Sequence, residues 1–64
     1  MSLLGAKIRE IRTSKGISQR SIERRFGKYQ GWLWAVETGK IALDAETLPE
    51  LSNCLGVTIS DLFM

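Results

Sequence analysis

Ser18-Gln19-Arg20-Ser21-Ile22-Glu23-Arg24-Arg25-Phe26-Gly27, followed at once by Lys28-Tyr29-Gln30-Gly31-Trp32-Leu33-Trp34-Ala35-Val36-Glu37-Thr38-Gly39, is the stretch that decides the fold. Ile22 and Phe26 stand four apart, and Leu33 and Val36 three apart, so each half carries one apolar face at helical spacing. Neither face can be buried alone. Gly27 lies between them and takes positive φ without a Cβ clash, which lets one helix stop and the next leave at a steep angle. Two short helices joined in this way have helix-turn-helix geometry.

Before this stretch, Leu4, Ile8 and Ile11 mark a first helix, and Gly16 is its expected left-handed stop. Ser18 suits the N-cap of the second helix, which then starts at Gln19, with Ile17 and Ile22 placed as a hydrophobic staple. The third helix is expected over residues 30–38. Thr47-Leu48-Pro49-Glu50 has the form of a capping box, which starts a fourth helix near Leu48. Leu48, Leu51 and Leu55 form its buried stripe, Cys54 is a small apolar filler, and Gly56 ends it. Thr58 with Asp61 repeats the cap pattern and Val57 with Leu62 the staple, so a last short helix is expected over residues 59–63.

A chain of 64 residues forms one domain, since so short a chain buries only about 60% of its unfolded surface and cannot divide its core. Its 44% of hydrophobic residues is too rich for a disordered tail. One cysteine and no histidine leave neither an internal disulfide, nor a zinc cluster, nor a nucleophile/imidazole pair, so no metal, cofactor or catalytic site is expected. With no apolar run near the ~18 residues of a membrane span, and no signal-peptide core, the chain reads as cytoplasmic.

Charge is divided unevenly. All nine lysines and arginines lie in residues 1–40 beside three acids, a balance of +6, whereas residues 41–64 hold four acids and no base, a balance of −4. One end is suited to a polyanion. By itself this is as compatible with a solvated basic surface; joined to the helix-turn-helix spacing it points to DNA.

Gly16-Ile17-Ser18-Gln19, then Gly27, Leu33, Val36, Glu37 and Gly39, and on through Leu48-Pro49-Glu50-Leu51 and Leu55-Gly56-Val57 to Asp61-Leu62-Phe63, resembles the Cro/phage-repressor (XRE-type) helix-turn-helix family over nearly the whole chain. The resemblance implies an all-α, five-helix, lambda-repressor-like DNA-binding domain whose central helix-turn-helix spans residues 18–39 and whose third helix docks in the major groove. It implies a transcriptional regulator of repressor type, acting on double-stranded DNA as a homodimer. It also implies an ion pair between Arg12 and Glu37 that ties the first helix to the recognition unit. The chain departs from the family at three places. Tyr29 stands where a serine N-cap is usual, Glu23 where a small residue is usual, and Lys28 where an apolar residue is usual.

At about 100° per residue, Leu33 and Val36 point inward while Gly31, Ala35 and Thr38 point outward. Trp32 lies roughly 70° from the core direction and Trp34 roughly 130°, so Trp32 should pack and Trp34 should be exposed on the ligand surface. Gln30 is the expected base reader, through bidentate pairing with adenine, while Gly31 and Ala35 permit close approach to a thymine methyl. Gln19 and Arg20, in the first turn of the second helix, together with the Tyr29 hydroxyl, are assigned to the phosphate backbone, and the resemblance implies the same role for Lys40, in the loop of residues 40–46. Asp44 and Glu46 oppose Lys40 in that role. For the dimer contact, the loop before the fourth helix and the apolar end Leu62-Phe63-Met64 are both candidates. A second reading stands beside DNA binding: a protein-interaction module, antitoxin-like or adaptor, that uses Trp34 on a protein partner.

Overall fold

The computed structural model describes residues 3–63. They form four α-helices, α1 (Leu3–Ser14), α2 (Gln19–Arg25), α3 (Trp32–Glu37) and α4 (Thr47–Leu55), and a closing 3-10 helix (Ser60–Phe63). No strand occurs among the described residues, and no helix of the described residues is long and apolar enough to cross a membrane. The core joins every element: Ile8 from α1, Ile22 from α2, Trp32, Leu33 and Val36 from α3, Leu51 and Leu55 from α4, and Leu62 from the closing turn. Leu4, Ile11, Ile17, Phe26, Leu48, Cys54 and Val57 pack around it, half-buried.

Local sequence accounts for most boundaries. The Ser18 Oγ accepts the Ser21 N–H at 3.1 Å, so α2 starts at Gln19 as its cap predicts. Gly16, Gly27 and Gly56 carry φ of 70°, 64° and 72°, each just past a helix end. Thr58 and Asp61 cap one another, the Thr58 N–H donating to Asp61 Oδ2 at 3.0 Å and the Asp61 N–H to Thr58 Oγ1 at 3.3 Å.

Several expectations give way. The described residues hold four α-helices rather than five, because the segment from Ile59 closes through bonds between residues three apart, Asp61 N–H to the Thr58 carbonyl and Leu62 N–H to that of Ile59. Nor does α4 begin with a Thr47–Glu50 box. Its first amide, that of Thr47, donates to Asp44 Oδ1 at 2.7 Å, so Asp44, in the turn before the Glu46 N-cap, supplies the capping acceptor.

The third helix is shorter than residues 30–38. Gln30 lies in a turn, and Gly31 is the N-cap, left-handed at φ 98°. A helix cannot run through that conformation, so it begins at Trp32, and Tyr29 is not the cap. Ala35 is buried, 9% exposed, and not outward. After Thr38 the chain doubles back, and the amides of Lys40 and Ile41 both donate to the Ala35 carbonyl, which lays the loop beside that small residue.

Gly5 sets how closely α1 meets α3. A Cβ at this position would collide with the backbone carbonyl of Glu37 and come within 2.7 Å of that of Val36. The first turn of α1 thus rests directly on the last turn of α3.

Candidate nucleic-acid interface

α3 is fixed at both ends by buried carboxylates. At its start, Glu23 Oε2 accepts the Gly31 N–H at 2.9 Å and the Leu33 N–H at 3.0 Å, while Arg20 lies 3.5 Å from Oε1. Glycine has no side chain with which to cap, so α2 supplies the cap across the turn. The departure of Glu23 from a small residue is therefore what ties the two helices together. Phe26 adds an edge-on contact to Trp32, with ring centroids 6.1 Å apart, and the Lys28 ammonium lies 5.5 Å from the Trp32 ring centroid.

At the other end Glu37 is 2% exposed. Its Oε2 receives the Arg12 Nε at 2.6 Å, and its Oε1 receives Arg12 Nη2 at 3.3 Å and Gln19 Nε2 at 2.9 Å. Arg12 also donates to the Ile17 carbonyl at 2.8 Å. The expected pair between Arg12 and Glu37 is present, and it is larger than a pair, because Gln19 joins it.

The residues expected to meet DNA divide into two groups. Trp34, Thr38 and Lys40 come together: the Thr38 hydroxyl donates to the Trp34 carbonyl at 2.8 Å, and the Lys40 ammonium lies 5.4 Å from the Trp34 ring centroid. Trp34 is 48% exposed and Trp32 6%, as the helical angles predict. Tyr29, 64% exposed, and Gln30 lie on the turn before α3. The second group faces inward in part. Gln19 is half-buried with its amide on Glu37, the Gly31 amide is held by Glu23, and Ala35 belongs to the packed side. Arg20 is exposed while keeping its contact with Glu23.

Arg24, Arg25 and Lys28, not singled out from the sequence as site residues, are exposed cations on the end of α2 and the turn after it. Their signal was the run of charge itself, with no spacing rule to mark them. Among the described residues no group of three or more His, Cys, Asp or Glu is gathered where it could hold a metal ion.

A short helix clamped against its predecessor across a glycine turn, with an exposed cationic and aromatic rim, defines a helix-turn-helix protein. The chain belongs to the helix-turn-helix domain family, whose model matches residues 3–62. It is similar to an uncharacterized HTH-type transcriptional regulator, y4dJ, of Sinorhizobium fredii, with 35% identity over 60 residues covering 94% of this chain and 78% of that protein. It is also similar to the SPbeta prophage-derived uncharacterized HTH-type transcriptional regulator YonR of Bacillus subtilis, 38% identical over 56 residues that cover 88% of this chain and 52% of YonR. The chain thus spans about half the length of the second relative. No solved structure matches it significantly.

Proposed function

We propose that the chain is a sequence-specific DNA-binding transcriptional regulator of repressor type, belonging to the Cro/phage-repressor branch of helix-turn-helix proteins and reading the major groove with α3. The observation that carries this reading is the clamping of α3 by Glu23 and Glu37, which holds its outer side in a fixed pose beside Arg20, Tyr29, Gln30, Thr38 and Lys40. Both relatives are named HTH-type transcriptional regulators, which favours DNA over a protein-interaction module. In this reading residues 1–64 are one lambda-repressor-like, cytoplasmic domain with residues 18–39 as its DNA-binding unit, and the closing 3-10 helix takes the place of the fifth helix.

The regulator acts as a homodimer on a nearly palindromic site, with the two α3 helices about 34 Å apart. Of the candidate dimer surfaces, the chain end contributes Phe63, 63% exposed, whereas Leu62 is core and Met64 lies outside the described residues. Selection from random duplexes at two salt concentrations tests the function. The logarithm of the binding constant should fall against that of salt with a slope of about −0.9 per phosphate neutralised. A chain that retains no duplex even at low salt is not a DNA-binding regulator.

A further inference from the structure

We infer that Trp34, propped by Lys40, is the specificity-determining residue, reading thymine methyl groups in the major groove by apolar contact while the Lys40 ammonium meets the adjacent phosphate. This rests on the proposal that α3 enters that groove.

Among the six described residues of α3, Trp34 alone is exposed; the other five are 9% exposed or less. The carboxylate and the hydroxyl proton at the end of this helix are already engaged, which leaves only the acceptor side of the Thr38 hydroxyl free to hydrogen-bond a base. Glu37 is held by Arg12 and Gln19, and the Thr38 hydroxyl donates to the Trp34 carbonyl at 2.8 Å. What α3 offers a base pair is therefore chiefly an indole. In the major groove the one apolar feature that separates base pairs is the thymine methyl. The indole's single N–H adds little code, because adenine and guanine both present an N7 acceptor there.

Lys40 gives the ring its pose. Its ammonium lies 5.4 Å from the ring centroid, so the cation attracts the π face and restricts rotation of the side chain. An ammonium carries donors and no acceptor, and its natural partner beside a base edge is a phosphate oxygen. Ring and charge thus form one unit, the first supplying selectivity and the second register.

The test uses the full chain and the duplex enriched by selection, with each thymine replaced in turn by deoxyuridine, which removes the methyl and nothing else. At one or two positions per half-site, binding should weaken roughly three- to fivefold, the value of one buried methyl. Trp34→Ala should bind thymine and uracil duplexes equally, with a melting temperature close to the parent's. Lys40→Ala should reduce the salt slope by about one phosphate. Tight duplex binding with no thymine preference overturns the inference and leaves the proposed function standing, as does a thymine preference that survives Trp34→Ala. A preference for adenine that disappears in Gln30→Ala also overturns it. Failure to bind any duplex overturns both.

Discussion

The Arg12 Nε lies 2.6 Å from Glu37 Oε2, joining the first helix to the last residue of the third across 25 positions of sequence. Both side chains are largely out of water, at 10% and 2% exposure. Removing one partner from such a pair leaves an unpaired buried charge, so Glu37→Ala should lower stability by about 3 to 5 kcal/mol in chemical denaturation. Replacing both partners with apolar residues of similar size should recover most of that loss, since desolvation offsets much of the pair's attraction. A Glu37→Ala variant with the parent's midpoint would show that the pair carries no structural weight.

Glu23 caps a helix to which it does not belong. Truncation to alanine strips the Gly31 and Leu33 amides of their acceptor, and the expected cost is about 2 kcal/mol. Those two amides should exchange with solvent faster than the rest of α3. Glu23→Gln keeps a carbonyl acceptor and should restore part of the stability. Equal effects from both substitutions would mean that carboxylate charge, and not hydrogen bonding, holds the turn.

Gly5 offers a test of sign. In an exposed helix interior, glycine to alanine stabilises by about 1 kcal/mol. Here the new methyl would run into the backbone carbonyls of Val36 and Glu37, which cannot swing aside as a side chain can. Gly5→Ala should therefore destabilise, by roughly 1 to 3 kcal/mol. A gain in melting temperature would contradict the close approach of α1 to α3.

Acid should weaken the caps of α4 and of the closing turn. Hydrogen bonds from Thr47 hold the Asp44 carboxyl below its ordinary value of 3.8, and hydrogen bonds from Thr58 do the same for Asp61. Since both values are depressed on folding, the unfolded chain takes up protons first. Their contribution is present above about pH 4 and is lost as the pH falls through the lower folded values. Replacing both aspartates with asparagine keeps an acceptor at each cap and removes the titration. The double variant's stability should fall less steeply below pH 4 than the parent's, measured by urea denaturation across that range.

The turn-and-helix plan was legible because it is written locally. Ser18, Gly27 and Gly56 act on the backbone beside them, and Ile22, Leu33 and Val36 repeat at helical spacing, so each could be read without knowing its neighbours in space. The misreadings have two physical causes. Glu23 caps α3 from eight residues before Gly31, outside the window that local patterns cover, whereas Asp44 lies only three residues before Thr47 and was masked by the competing Thr47–Glu50 pattern. Ala35 projects outward on an isolated helix, but the chain beyond Thr38 folds back beside it. Gln19 looked free because its partner, Glu37, lies 18 positions away. At the candidate site the exposed indole was legible by angle alone, while the Lys40 contact depended on how the following loop returns.

The two tryptophans sit two positions apart on one helix and in opposite surroundings, which makes the domain its own optical instrument. Trp32 lies against Phe26 in the core, where its fluorescence reports whether the chain is folded. Trp34 is half in water beneath an ammonium group, so its emission should be open to soluble quenchers. One unlabelled sample can therefore distinguish loss of structure from occupation of the outer face, the first as a red shift from the buried ring and the second as protection of the exposed one.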